Sequence, residues 1–83
     1  MKYLVLTRRT PQFRDDLLGD HYAFLDGLRR AGHLECAGPF TDRSGGAYLL
    51  IANSLDEAKH RALADPLHVQ GCSNLEILEW DAR

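Results

Sequence analysis

Two side chains of this sequence could move a proton as a pair, those of His21 and Asp65. An imidazole titrates near neutral pH, and a neighbouring carboxylate fixes its tautomer and stabilises the imidazolium. His21 lies near the middle of an apolar stripe at helical spacing, and Asp65 directly precedes Pro66. This pattern predicts a general acid–base pair. The structural alternatives are a core histidine bonded to a carbonyl and an aspartate that only caps a helix.

The surroundings of this pair follow from its need for hydrogen-bond partners. A histidine in an apolar stripe needs a partner for its second nitrogen, since an unsatisfied buried group costs about 1–3 kcal/mol. The residue before a proline is held extended, which frees the Asp65 side chain from the helix pattern. We therefore expect both residues at the end of a pocket with Gly38 and Pro39 at its rim. The residues predicted to bind the ligand are Arg8, Gly38 and Pro39.

Other kinds of site are not indicated. The four histidines form no HxH or HExxH arrangement, so we predict no metal. The sequence has no GxSxG, GxGxxG or Walker loop, so neither a nucleophile elbow nor a nucleotide cofactor is expected. Cys36 and Cys72 are far apart in sequence, and we predict that they are buried free thiols with no role in the chemistry.

Length and charge limit the class of protein. With 83 residues and a formal net charge of −2, the chain is predicted to be one small domain over residues 1–83. Acidic and basic residues are interspersed, which argues against a nucleic-acid partner. No window is apolar enough to span a bilayer, and the N-terminal apolar run is too short for a signal peptide. We expect a cytoplasmic protein with no membrane partner.

Hydropathy periodicity predicts four strands and two main helices. The predicted strands are short apolar segments, Tyr3–Leu6, His33–Ala37, Ala47–Ala52 and Leu75–Trp80. A first helix is predicted to begin within Pro11–Arg14 and to end at Ala31. A second helix is predicted from Leu55 to about Ala64, followed by a short turn over Pro66–Gln70.

Local signals set the boundaries of these elements. Gly19 indicates a break in the first helix, with Asp20 as the cap of its main segment. Pro39 either ends the second strand or places it at a sheet edge. The pair Gly45–Gly46 predicts a hairpin turn with positive φ. The segment Ser54–Glu57 has the pattern of a capping box.

The order β-α-β-β-α-β predicts the fold. Two right-handed crossovers place both helices on one face of a four-stranded antiparallel sheet, which is the ferredoxin-like α+β sandwich. The first and third strands offer apolar side chains to both faces. The helix-free face would be an exposed apolar patch in a monomer, so we predict a symmetric homodimer that covers it.

An ordered set of residues along nearly the whole chain resembles the YCII-related proteins of the dimeric α+β barrel group. The set comprises His21 with Leu25, Ala37-Gly38-Pro39, Gly46, Ser54-Leu55-Asp56-Glu57-Ala58, Asp65-Pro66 and Gly71. The resemblance implies a ferredoxin-like homodimer with a histidine–aspartate dyad, which falls on His21 and Asp65. Some relatives in the wider group act on hydroxylated or chlorinated aromatic rings and on lactones. The short first loop, Arg8–Arg14, and the charged tail after Trp80 depart from the family, so the substrate does not carry over.

Two competing hypotheses for function result. The first is an enzyme that uses the dyad for lyase or isomerase chemistry on a small aromatic or enolisable molecule, with no metal and no organic cofactor. The second is a non-catalytic module of the same fold, which binds a small ligand or associates with an enzyme and keeps His21 as a contact. An RNA-binding domain on this topology is disfavoured, because the central strands are aliphatic and the chain is acidic overall.

Overall fold

A computed structural model describes residues 1–83. The strands are β1 Lys2–Arg9, β2 Leu34–Pro39, β3 Gly45–Ile51 and β4 Ser73–Trp80. The helices are α1 Leu18–Arg30, α2 Leu55–Ala62 and α3 Pro66–Val69, with a 3₁₀ turn over Asp15–Leu17 ahead of α1. The strands form one antiparallel sheet in the order β2-β3-β1-β4, which confirms the ferredoxin-like α+β fold.

Strand β1 is longer than its apolar run predicts. The hydropathy pattern places Arg8 and Arg9 in a loop, but both residues continue the strand. Arg8 lies opposite Gly45 of β3 and Asn74 of β4, and Arg9 lies opposite Ser73. Backbone pairing along both sides of β1 therefore outweighs the loss of apolar character at these two residues.

Strand β2 lies at the edge of the sheet, and Pro39 is its last residue. Proline has no N–H to donate and is tolerated at an edge, where one side of the strand is unpaired. Both outcomes predicted for this proline hold, because β2 is an edge strand and also ends at Pro39. Pro39 lies opposite Gly46 of β3, which fixes the end of the β2–β3 pairing.

The sheet has two unlike faces, because successive side chains of a strand point to opposite sides. The helix face carries the buried core residues Tyr3, Val5, Tyr48 and Leu50, which pack with Leu25 and Leu28 of α1 and with Ala58 and Ala62 of α2. The bare face carries Leu4, Leu6, Leu49, Leu78 and Trp80, as the strand register shows. No helix covers the bare face.

Helix α1 begins later than predicted and is not interrupted at Gly19. Its first residue is Leu18, so Gly19 and Asp20 both lie inside the helix and Asp20 is not its cap. The predicted break is wrong because the chain enters the helix through the 3₁₀ turn Asp15–Leu17. There the N–H of Leu17 already donates to the carbonyl of Arg14, at 3.2 Å.

The role predicted for Gly45 and Gly46 is also wrong. Both glycines lie inside β3 and neither has a positive φ, whereas Arg43 in the turn has a φ of 63°. A Cβ atom on Gly45 would collide with the carbonyl oxygen of Thr7, and one on Gly46 would lie 2.6 Å from that of Gly38. These glycines therefore permit close approach of neighbouring backbones rather than a turn.

Helix α2 begins with the predicted capping box and ends at Ala62, two residues early. The Ser54 hydroxyl accepts from the N–H of Glu57 at 3.1 Å, and the Glu57 carboxylate accepts from the N–H of Asn53 at 3.0 Å. The N–H of Asn53 and the Arg61 guanidinium hold the pKa of Glu57 below its ordinary value. Local side-chain bonds thus fix the start of this helix.

The two cysteines are free and differ in exposure. Cys72 is buried, and its Sγ donates to the carbonyl of Gln12 at 3.3 Å. Cys36 is exposed, so the prediction of two buried thiols is wrong for this residue. It lies in the edge strand β2 opposite Leu49, which places it on the bare face.

None of the helices has the length and apolar character needed to cross a membrane.

Candidate active site

The imidazole of His21 contacts the carboxylate of Asp65. The Nδ1 atom of His21 lies 3.0 Å from Oδ1 and 2.8 Å from Oδ2 of Asp65. The Asp65 side chain is fully buried, and that of His21 is 14% exposed. The structure thus brings together two residues that are 44 positions apart in sequence.

Asp65 is held in place by the start of α3. Its backbone is extended, with φ −57° and ψ 126°, and Pro66 occupies the first helical position. Its Oδ1 atom accepts from the N–H of Leu67 at 2.9 Å, whereas Oδ2 has no partner apart from the His21 ring. Asp65 is therefore a helix cap and the partner of His21 at once, so the two interpretations of this residue are not alternatives.

The orientation of His21 follows from its place on α1. Leu25 and Leu28 follow it at helical spacing and are buried, so His21 belongs to the helix side that packs toward the sheet. A carboxylate only accepts hydrogen bonds, so Nδ1 carries the hydrogen that Asp65 accepts. The neutral ring then has its lone pair on Nε2, on the side away from the carboxylate.

A cavity of about 250 Å³ lies beside His21, between α1 and the helix face of the sheet. Its apolar wall includes Leu18, Leu25, Ala37, Pro39, Ala47 and Leu67. Its polar wall includes Thr7, Arg9, Tyr22, Asp26, Arg29 and Tyr48. Since a dry cavity of about 150 Å³ already admits benzene, this space suits a single ring with polar substituents.

The three residues predicted to bind a ligand are placed differently. Gly38 and Pro39 line the cavity, but Arg8 does not. Arg8 is exposed and points to the bare face, because it follows Leu4 and Leu6 at a spacing of two along β1. The arginine of β1 that lines the cavity is Arg9. The expected position of Arg8 is therefore corrected by the length and alternation of β1.

Arg9 is positioned by an aromatic ring rather than by a carboxylate. Its guanidinium carbon lies 4.0 Å from the centroid of the Phe13 ring, a cation–π contact. Arg29, the other arginine of the wall, pairs with Asp26 at 3.3 Å, whereas Arg9 forms no ion pair. Arg9 therefore supplies the cavity with a positive charge that no side chain of the protein neutralises directly.

Tyr48, like Arg9, lines the cavity and was not among the predicted site residues. It is 3% exposed, and its hydroxyl has no hydrogen-bond partner in the chain. Burial and the nearby charge of Asp65 raise the pKa of Tyr48 far above its ordinary value, so the phenol is neutral. The period-two alternation of β3 was the available signal, since Tyr48 lies two residues from Leu50 and from Gly46.

The side chains of the site determine what it can do chemically. No group of three or more histidine, cysteine, aspartate or glutamate side chains is close enough to hold a metal ion. The arrangement offers a buried carboxylate, an imidazole with one free nitrogen, a neutral phenol and one unpaired guanidinium. Such a set can transfer a proton and bind an oxygen-bearing ligand.

Comparison with known proteins identifies the family. The model of the YCII-related domain matches residues 1–81, and the chain belongs to this family. An uncharacterized protein of Bacillus subtilis, YjpA, is 47% identical over 78 residues, which cover 94% of this chain and 92% of that protein.

A solved structure shares the fold. It is 5-chloro-2-hydroxyhydroquinone dehydrochlorinase from Burkholderia phenoliruptrix, in complex with 2,5-dihydroxybenzoquinone. It superposes with a TM-score of 0.83 over 98% of this chain and 94% of its own. Its sequence identity to this chain is 22%, so this likeness concerns the fold alone.

Proposed function

We propose that this member of the YCII-related family is an acid–base enzyme that acts on a small oxygenated aromatic or enolisable molecule. The observation that carries the proposal is the buried His21–Asp65 pair at the wall of a cavity. A carboxylate that binds one ring nitrogen leaves the other nitrogen as a base. Lyase or isomerase chemistry that begins with removal of a proton from carbon suits this arrangement.

In the proposed reaction, Nε2 of His21 takes a proton from a carbon atom of the substrate. The Asp65 carboxylate stabilises the imidazolium that forms, and the ring then returns the proton to another atom of the substrate. Gly38 and Pro39 shape the cavity wall, and their role in binding stays a prediction. Arg9, rather than Arg8, is the arginine placed to meet an anionic substituent.

The size of the cavity favours a substrate with one ring. The ligand of the solved dehydrochlorinase, 2,5-dihydroxybenzoquinone, is a molecule of this size, with oxygen substituents. It supports a monocyclic substrate for this protein too. A lactone is the non-aromatic alternative, because a lactone carbonyl also acidifies a neighbouring C–H bond.

Hydrogen exchange tests this proposal without knowledge of the natural substrate. The probe is α-angelica lactone, whose ring CH₂ hydrogens lie next to the ester carbonyl and are acidified by it. In deuterium oxide, the protein should accelerate loss of these proton NMR signals. His21→Asn should remove the acceleration, which for a positioned general base is about 10²–10⁴-fold.

Two variants serve as controls for this experiment. Asp65→Asn keeps an oxygen for the N–H of Leu67 but removes the charge that stabilises the imidazolium, so exchange should slow while α3 stays capped. His60→Asn changes an exposed histidine of α2 that does not line the cavity, so exchange should be unaffected. If exchange were equally fast in His21→Asn, the proposed role of His21 as the base would be contradicted. Binding of the probe without exchange would favour the non-catalytic binding module.

We also propose that the bare face forms a homodimer. Leu78 and Trp80 are 45% and 47% exposed, and Ile51 at the end of β3 is 39% exposed. Beside Trp80 lies an apolar groove of about 290 Å³ that includes Leu4 and Leu49. A second copy of the same face, related by a two-fold axis, would bury these side chains.

A further inference from the structure

The cavity wall contains one cation that forms no ion pair with a carboxylate of the protein, the guanidinium of Arg9. The other arginine of the wall, Arg29, pairs with Asp26 at 3.3 Å. The carboxylate of Asp65 is fully buried and is engaged by His21. The charge of Arg9 is therefore the one in the wall that remains available to a ligand.

The structure holds Arg9 in a defined direction. Arg9 follows Val5 and Thr7 at a spacing of two along β1, so its side chain belongs to the helix face, where the cavity lies. Its N–H donates to the carbonyl of Ser44 at 2.9 Å, which fixes the backbone at the end of the strand. The Phe13 ring, 4.0 Å from the guanidinium carbon, then fixes the end of the side chain.

The hydrogen-bond donors of Arg9 are open to a ligand. Arg9 is half-buried and its side chain forms no hydrogen bond to the protein, but none of its side-chain nitrogen atoms is buried. The contact with Phe13 uses the face of the guanidinium, whereas the N–H groups lie in its plane and point away from its edges. Phe13 thus restricts the motion of the guanidinium and leaves its donors free.

We propose that Arg9, held by Phe13, is the anion-binding residue of this cavity, and that the substrate is a monocyclic carboxylate. The inference rests on the proposed function and narrows its substrate class from oxygenated rings in general to rings that carry a carboxylate. A guanidinium binds both oxygens of a carboxylate through two parallel N–H···O bonds. Arg9 then determines the specificity for charge, and His21 remains the base.

The charges of the wall favour an anion with a single negative charge. Arg29 and Asp26 form an ion pair, and Asp65 is engaged by His21, so one free positive charge remains. A carboxylate is matched by this one guanidinium. A phosphate monoester carries a charge of about −1.5 to −2 at neutral pH, which would leave an excess of negative charge in the cavity.

Benzoate and benzamide test this inference, because the two molecules have nearly the same shape and differ by one charge. The wild-type protein should bind benzoate more tightly in a titration followed by NMR. Arg9→Met should lower the affinity for benzoate at least about tenfold and leave the affinity for benzamide nearly unchanged. Arg8→Met is the matched control: it removes the same charge from an exposed residue of the bare face, so both affinities should stay the same.

Two further variants test how the guanidinium binds and is held. Arg9→Lys keeps the charge but loses the planar fork, so the affinity for benzoate should fall, though less than in Arg9→Met. Phe13→Leu keeps Arg9 and removes the ring on which it stacks. The affinity for benzoate should then fall about 2- to 5-fold, while the preference for benzoate over benzamide persists.

The outcomes separate this inference from the proposed function. A wild-type protein that binds benzoate no more tightly than benzamide, or binds neither, would overturn the carboxylate site, whereas exchange of the lactone that depends on His21 would still support the enzyme. An equal loss of benzoate affinity in Arg8→Met and Arg9→Met would also overturn the site, because net charge would explain it. Benzoate binding that depends on Arg9, without exchange of the lactone by the wild type, would support the site and favour the non-catalytic binding module.

A measurement on the wild-type protein covers the case in which Arg9→Met does not fold. Protein labelled with nitrogen-15 at arginine Nε reports on each guanidinium separately. Addition of benzoate should shift the Nε–H resonance of Arg9 and leave that of Arg8 in place. A shift confined to Arg29, the other arginine of the cavity wall, would contradict the contact with Arg9.

Discussion

The two faces of the sheet carry similar apolar side chains but differ in what lies against them. On the helix face, Tyr3 and Leu50 are almost completely buried by the helices, and a polar pair is enclosed with them. On the bare face, Leu78 and Trp80 remain about half exposed. Apolar character alone therefore does not distinguish a face that forms the core from a face that is available for association.

The difference also shows where each face is incomplete. The helix face has enough apolar cover, and its unsatisfied groups are polar: the Tyr48 hydroxyl and the unpaired Arg9 guanidinium. The bare face has no buried polar group that lacks a partner. What it lacks is a neighbouring element that would bury its apolar side chains. Unsatisfied polar groups at a cavity favour a ligand, whereas uncovered apolar surface favours a protein partner.

A charge at Leu50, on the helix face, should have the largest effect. Leu50→Glu would place a carboxylate in the core of the helix face, where the residue is 0% exposed. We expect a loss of more than about 4–5 kcal/mol, which is comparable with the whole stability of a small domain. Circular dichroism should show an unfolded or molten chain, and a cooperative melt near that of the wild type would contradict the assigned face.

Removal of the Asp65 side chain should have the next largest effect. Asp65→Ala loses the cap of α3 and leaves Nδ1 of His21 without a partner. Together these changes should lower the free energy of unfolding by about 2–4 kcal/mol. Urea denaturation measures this change, and Asp65→Asn, which keeps the cap, should lose less. Equal losses in the two variants would mean that the cap contributes nothing.

On the bare face, Leu78→Glu should leave the fold of each chain intact and prevent association. Leu78 is 45% exposed in the single chain, so the substitution should cost the isolated fold less than about 1 kcal/mol. Sedimentation at micromolar concentration should give twice the chain mass for the wild type and the single mass for the variant. Asn74→Glu, at the polar end of the same strand and face, is the control. A wild-type protein that sediments with the mass of a single chain would contradict the proposed dimer.

The smallest effect is expected at the start of α2, away from both the cavity and the bare face. The lowered pKa of Glu57 means that its stabilising contribution is present above the ordinary value of 4.5 and is lost as pH falls through the lowered value. Glu57→Gln should therefore melt slightly below the wild type at neutral pH and converge with it in acid. Glu76→Gln on the bare face is the control. If the difference in melting temperature between Glu57→Gln and the wild type did not change with pH, the stabilising role of the Glu57 carboxylate would be contradicted.

Local sequence determined the kinds of elements and their order. Helical spacing from Leu17 to Leu28, short apolar runs and the capping box at Ser54 each depend on residues within a few positions of one another. The extended backbone of Asp65 also follows from the proline beside it. For this reason, the four strands, the two main helices and the ferredoxin-like order were all predicted from the sequence.

The tertiary structure decided the features that depend on pairing between distant segments. The pairing of β1 with β3 and β4 carries the strand to Arg9, and this extra length puts Arg9 rather than Arg8 in the cavity. The same pairing explains why Gly45 and Gly46 are glycines. The burial of Tyr48 beside Asp65 depends on β3, α1 and α3 together, because a side chain's solvent exposure and hydrogen-bond partners are set by neighbours that are remote in sequence.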